Sequence, residues 1–186
     1  DTTVKVWVIP EGGLTAPATE AAQNLTSHRK KVGTCDFHPS ASNILATTST
    51  DQCVKIWDIE AGKDVFTNAD GHNDIINCTS WNHDGSILAT ACKDKKVRLL
   101  DPRQNTITGD LEAHAGVKGF RCLFLSKPSE KLFTVGFNKT SGRQMALWDP
   151  KDMSKPLHTV EIDNASGIIM AFYAEDTGVL FLAGKG

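Results

Sequence analysis

The chain of 186 residues contains no hydrophobic run approaching the ~20 residues that a helical bilayer crossing needs. It has no excess of charge of either sign, with 20 Lys and Arg against 22 Asp and Glu and a formal net charge of -2. That balance excludes attraction of nucleic acid by the field of the whole molecule and leaves only a local patch to do so. The hydrophobic fraction of 40% is too high, and the net charge too small, for an expanded disordered chain. No signal peptide follows Asp1. The five cysteines, Cys35, Cys53, Cys78, Cys92 and Cys122, are odd in number and not closely paired, which argues against a disulfide framework and for a reducing, cytoplasmic compartment. Sequons at Asn24, Asn77, Asn138 and Asn164 point the other way, toward secretion, but the one at Asn77 lies in a strand-like run with no room for a glycan. Length alone predicts one domain.

What is present is a repeat of about 43 residues, in the range of solenoids and propellers. His28, His72 and His114 recur at intervals of 44 and 42, and Trp57, Leu100 and Trp148 at 43 and 48, each of the last three followed by Asp. Between each His and its Trp or Leu runs the same order of features. Short stretches rich in β-branched and apolar residues, such as Ile44 to Thr48 and Ile87 to Ala91, are separated by clusters of Pro, Ser, Asn, Asp and Gly. Strands this short cannot bury much alone, so each copy must stack against its neighbour. The pattern predicts an all-β fold, a WD-repeat β-propeller with four strands per blade. The expected divisions are the third and fourth strands of one blade over 1–25, full blades over 28–69, 72–112 and 114–162, and the start of another over 165–186. Asp1 to Trp7 matches Asp51 to Trp57, and Gly184-Lys185-Gly186 stands where the next such turn would begin. The expectation is therefore a fragment of about four blades from a seven-bladed ring.

The spacing also predicts a buried polar network. His28, Thr47, Asp51 and Trp57 keep the same offsets, within a residue, as His72, Thr90 and Asp94, with Leu100 in the Trp position. They match the His, Ser/Thr, Asp, Trp tetrad of WD-repeat blades, in which the turn Asp holds the His of the preceding loop. Such a network fixes strand register once every member is satisfied, and its repetition favours a structural over a catalytic role. In the third copy Gly142 replaces the Asp and the 138–143 loop is longer, so that blade is expected to lack the full network and to be more mobile at that corner.

The connecting segments are more distinctive. Val8-Ile9-Pro10-Glu11-Gly12-Gly13-Leu14, His28-Arg29-Lys30-Lys31-Val32-Gly33, Cys92-Lys93-Asp94-Lys95-Lys96-Val97-Arg98, Asp101-Pro102-Arg103, Thr134-Val135-Gly136-Phe137-Asn138-Lys139-Thr140-Ser141 and Ala165-Ser166-Gly167-Ile168-Ile169-Met170 occur in order. Together they resemble the coronin family of actin-binding proteins over essentially the whole chain. The resemblance implies a seven-bladed propeller and, in short coronins, a C-terminal coiled coil through which the protein oligomerises. It implies binding to filamentous actin, influence on the branched-actin nucleating complex through a C-terminal region, and a place in the actin cytoskeleton at the cell cortex. The N-terminal basic region usually implicated in actin contact would lie outside these residues.

In a propeller the loop carrying the His and the turn carrying the Asp lie on one face. Arg29, Lys30, Lys31, Lys93, Lys95, Lys96, Lys118, Lys139 and Arg143 are thereby expected near one surface, a candidate face for actin. The alternative is a WD-repeat scaffold whose basic face serves another complex, or an acidic partner such as RNA or lipid headgroups. No cofactor is expected. Cys35, Cys78 and Cys122 recur at the blade period, are expected at equivalent positions of successive first strands, and read as small buried hydrophobes rather than metal ligands. The glycines from Gly178 to Gly186 lack the Ser or Thr and the spacing of a phosphate loop. No nucleophile with a positioned base is suggested, so an enzyme is not expected.

Overall fold

In a computed structural model describing residues 1–185, every regular element is a β-strand. Gly186, the last residue of the expected terminal turn, lies outside the described residues. The strands are β1 (Val4–Val6), β2 (Gln23–Leu25), β3 (Val32–Phe37), β4 (Ile44–Ser49), β5 (Val54–Asp58), β6 (Lys63–Asn68), β7 (Ile76–Trp81), β8 (Leu88–Cys92), β9 (Lys96–Asp101), β10 (Thr106–Glu112), β11 (Arg121–Leu125), β12 (Lys131–Phe137), β13 (Arg143–Trp148), β14 (His158–Asp163), β15 (Ile169–Ala174) and β16 (Val179–Gly184). They form three four-stranded antiparallel sheets, the first blade from β3 to β6, the second from β7 to β10 and the third from β11 to β14, flanked by the pairs β1-β2 and β15-β16. Each blade is a meander in chain order, and the first strands β3, β7, β11 and β15 neighbour one another around the axis.

Burial follows strand position. Second strands such as β4 and β8 lie between two neighbouring blades, so nearly every residue is buried and the sequence is a continuous apolar or small run. The outer strand β6 alternates exposed and half-buried residues instead. The core is divided into seams between sheets. Ala46, Val54 and Ile56 of the first blade meet Ile76, Trp81, Leu88 and Leu100 of the second. Ala89, Val97 and Leu111 of the second meet Phe124, Leu132 and Trp148 of the third. Phe133 and Val135 of the third meet Ile169. No described helix is long and apolar enough to cross a membrane.

The turns that set blade geometry use local chemistry. Gly85 sits at φ +75 in the β7–β8 turn, and a Cβ there would collide with the His38 ring, whose Nε2 bonds the Gly85 carbonyl at 2.9 Å. The β4–β5, β8–β9 and β12–β13 turns each hold a non-glycine residue in the left-handed region, Gln52, Lys95 and Ser141.

The cysteines correct the expectation of equivalence. Cys35 pairs across the ladder with Thr47, and Cys122 with Thr134, but Cys78 pairs with Ala91. The link from β7 to β8 is one residue shorter than its counterparts: Trp81 pairs with Leu88, where Phe37 pairs with Leu45 and Phe124 with Leu132. A one-residue shift turns a side chain to the other face of its sheet. Cys78 therefore stands where Thr34 stands in the first blade. Cys35, expected to be buried, is exposed.

Leu88 is fully buried at the first seam, whereas Val117 is 77% exposed. Leu88→Ala is expected to cost about 2–5 kcal/mol, and Val117→Ala near zero. Urea denaturation of the full-length protein measures both, and similar losses would contradict the seam as the seat of stability.

Candidate functional site

At the rim of each blade a His from the loop preceding the first strand points inward to a Thr on the second strand. In the first blade Trp57 Nε1–H donates to Thr47 Oγ1 at 2.8 Å, and Thr47 Oγ1 lies 2.8 Å from His28 Nε2. His28 Nδ1 lies 3.0 Å from Asp51 Oδ2. The indole can only donate and the carboxylate only accept, so the proton order is set: Thr47 O–H donates to Nε2 and Nδ1–H donates to Asp51. Asp51 also accepts the backbone N–H groups of Arg29 at 2.9 Å and Cys53 at 3.0 Å. Burial alone would raise the Asp51 carboxyl, but these amides and His28 hold it down at about 2. Burial lowers His28, against the opposing pull of Asp51.

The second blade departs from its predicted network. His72 Nε2 meets Thr90 Oγ1 at 2.8 Å, but Asp94 does not hold His72. Asp94 receives a bidentate pair from Arg98, with Nη2 to Oδ2 at 2.6 Å and Nη1 to Oδ1 at 3.1 Å, and His72 Nδ1 is buried without a partner. The forked guanidinium satisfies both carboxylate oxygens at once and outcompetes a single imidazole N–H. Lys55, at the position of Arg98, turns instead to Asp64 at 2.8 Å and Thr67 at 2.9 Å. With no carboxylate fixing a proton on Nδ1, His72 Nε2–H can donate to Thr90, whose hydroxyl donates to the Arg98 carbonyl at 3.4 Å; Leu100 supplies no indole. Burial, helped by Arg98, pushes His72 down to about 4.

The third blade, expected to lack a full network, builds one without the acid. Trp148 Nε1 donates to Thr134 Oγ1 at 2.9 Å, Thr134 Oγ1 lies 3.0 Å from His114 Nε2, and His114 Nδ1 reaches Gln144 Oε1 at 3.3 Å. A neutral amide oxygen takes the role of the carboxylate. The sequence signal was weak, because Thr134 precedes Trp148 by 14 residues rather than 10 and the acceptor is a Gln. Burial also pushes His114 down to about 4. The 138–143 loop is organised by Asn138, whose Oδ1 accepts the N–H groups of Thr140 at 3.0 Å and Gly142 at 2.8 Å.

The predicted basic surface divides into two groups. Arg29, Lys30, Lys31, Lys93 and Lys139 are exposed on the loop-and-turn side of the blades, and their side chains make no ion pair among the described residues. The others are committed elsewhere. Lys95 Nζ donates to the Ala115 carbonyl at 2.9 Å, and Lys118 Nζ donates to the Ser166 carbonyl at 3.0 Å while lying 4.6 Å over the Phe137 ring. Lys96 pairs with Asp110. Arg143, expected on the surface, is buried: it forks onto Asp163 and reaches the Lys185 carbonyl at 3.2 Å, tying the third blade to the β15–β16 pair. Exposed Asp70 and half-buried Asp74 also lie on this side, in the β6–β7 loop.

Thr47→Val is expected to cost about 2–4 kcal/mol, because it strands the Trp57 N–H and His28 Nε2 in a buried site. Thr90→Val is expected to cost less, since no indole depends on it; equal losses in denaturation would contradict this reading. His72 and His114 have folded values below their ordinary 6.5, so their stabilisation is complete above pH 6.5 and is lost as pH falls toward about 4. Each should contribute a slope near about 1.4 kcal/mol per pH unit within that window. Denaturation midpoints taken between pH 7 and 4 test this, and a flat profile from 6.5 to 4.5 would refute it. The carboxylates Asp51 and Asp94, held at about 2, add their loss only below about pH 4.

The family model of the WD domain, G-beta repeat (WD40), matches residues 20–58 and 63–101. Coronin-A of Dictyostelium discoideum is 46% identical over 186 residues, covering all of this chain and 41% of that protein. Coronin-2A of Bos taurus is 39% identical over 190 residues, covering all of this chain and 36% of that protein. The chain thus spans well under half the length of these relatives. The crystal structure of the WD40 domain from Toxoplasma gondii coronin superposes with a TM-score of 0.93 at 31% identity, over all of this chain and 48% of that one. A chain of a mitotic checkpoint complex crystal structure, 16% identical with a TM-score of 0.72, shares the fold. With relatives matched across the whole of this chain and a coronin WD40 domain superposed on all of it, this chain is a homologue of a segment of the coronin WD-repeat propeller.

Proposed function

We propose that this chain is part of a propeller that binds filamentous actin as a non-catalytic interaction platform. The observation that carries the reading is the set of exposed cations Arg29, Lys30, Lys31, Lys93 and Lys139, which face solvent without ion-pair partners among the described residues on the side where the blade corners converge. An acidic filament surface would find complementary charge there, which contributes orientation and association rate more than affinity. The similarity to coronins over the whole of this chain supports the same partner. The polar networks beneath the rim have no part in chemistry. Their histidines are buried, and their bonds to Thr hydroxyls are consumed in holding strands. Contact with the branched-actin nucleating complex and self-association would belong to a C-terminal region outside this propeller segment. The cytoplasmic actin cortex is the corresponding location.

In the full-length protein, replacing Lys30, Lys31, Lys93 and Lys139 together by Glu should weaken filament co-sedimentation by on the order of tenfold or more, with the unmodified protein losing affinity as salt rises. Arg143→Glu should instead destabilise the fold, because it leaves Asp163 and two backbone carbonyls without their guanidinium. Unchanged co-sedimentation by the folded quadruple variant would remove this face from the reading.

A further inference from the structure

The register shift in the second blade brings two thiols together. In the seam between first and second blades, Thr34 of β3 faces Thr79 of β7, with their hydroxyl oxygens 3.4 Å apart. Thr79 pairs with Thr90 across its ladder, as Cys122 pairs with Thr134, and Cys78 occupies the place of Thr34. The same contact, moved one seam along, is therefore Cys78 of β7 facing Cys122 of β11. Cys78 Sγ lies 3.3 Å from the Cys122 carbonyl oxygen, across the seam between the second and third blades. A groove of about 690 Å³ along the inner strands is lined by residues Cys78 and Cys122 together with Arg121, Asp36 and Met170. Cys78 is half-buried beside it, and Cys122 is buried behind.

We propose that Cys78 and Cys122 are a redox-active dithiol that hydrogen peroxide converts into a disulfide joining the second and third blades. The Cys78 thiolate attacks one peroxide oxygen. The O–O bond breaks, and the departing oxygen takes the proton that Cys78 released and leaves as water. Cys78 is now a sulfenic acid. The Cys122 sulfur displaces its hydroxyl, the S–S bond forms, and the hydroxyl leaves as a second water with the Cys122 proton. The two sulfurs lose two electrons, and the peroxide gains them.

The surroundings divide these roles. The neighbouring Cys122, together with the Arg121 guanidinium, favours the Cys78 thiolate against the effect of burial, while Cys78 and complete burial keep Cys122 protonated until it resolves. The other thiols lack one or the other element. Cys35 is more exposed, but burial on one side and Asp36 push its thiol up, and its ladder neighbour is a threonine. Cys92 is buried, and its thiol is likewise pushed up by burial.

The test is mass-spectrometric mapping of the reduced, folded full-length protein after brief treatment with hydrogen peroxide. Remaining thiols are blocked with N-ethylmaleimide under denaturing conditions before digestion. The expected product is a peptide linking Cys78 to Cys122, on the order of tenfold more abundant than any other linked pair from this chain and lost on treatment with dithiothreitol. In Cys122→Ser no such link forms, and dimedone traps a sulfenic acid on Cys78; in Cys78→Ser, Cys122 is recovered as a thiol. Circular dichroism of both variants checks that they remain folded. Recovery of both residues as alkylated thiols at a peroxide dose that oxidises Cys35 would overturn the proposal. So would a dominant link involving a different cysteine, or Cys122→Ser protein in which dimedone leaves Cys78 unlabelled.

Discussion

A four-stranded antiparallel sheet of this sequence has two apolar faces and can hide neither by itself. Every larger feature of the molecule answers that constraint. The second strands carry small and branched side chains on both faces because each is sandwiched between neighbouring sheets, and Leu88, Ala89, Ala91 and Leu132 are entirely buried as a result. The seams between sheets are where apolar area leaves water, so stability is a property of adjacent pairs of blades. First strands meet first strands around the axis, which makes the inner groove and sets which side chains can touch across it.

The rim networks solve a second problem created by the first. Packing blades so closely buries the loops that cross their corners, and the backbone and side-chain polar groups there need partners. One Thr hydroxyl, accepting from an indole and donating to an imidazole, joins two strands and a loop in the first and third blades. The second blade shows what two replacements do to that solution. With Leu100 in place of the Trp and Arg98 in place of Lys55, the acid is captured by the guanidinium and the imidazole keeps an unpaired nitrogen. The blade holds its register by other means, including a larger shared core with the third blade. The outward face of the same loops carries the cations with no internal partner, so the corner that organises the scaffold below also presents its charge above.

Much of this was legible in the residues. The recurrence of His28, His72 and His114 and of the Trp-Asp or Leu-Asp endings implied blades, and the strands stand where the alternation of apolar runs and turn residues places them. The first network was readable as well, because Thr47, Asp51 and Trp57 are close in sequence and their offsets reflect a hairpin of ordinary length. Where a turn changes length, spacing stopped being a guide. The longer link before Trp148 hid the role of Thr134 and Gln144, and the shorter link before Leu88 put Cys78 on the opposite face from the one its period suggested. Arg143 read as a surface cation because a charge in a polar loop usually is one, and nothing local announces that Asp163 and the carbonyl of Lys185 converge on it.

Local propensity and periodic spacing were enough to specify the repeat, the antiparallel pairing within each sheet and the residues available for the corners, and the connecting segments carried the resemblance to coronins. Only the tertiary structure decided which carboxylate answers to imidazole and which to guanidinium, which lysines are tethered and which face solvent, and that two cysteines 44 residues apart share a seam. Those outcomes depend on competition between partners from different strands and on ladder register, and a shift of one residue in a turn reverses the face on which every following side chain lies.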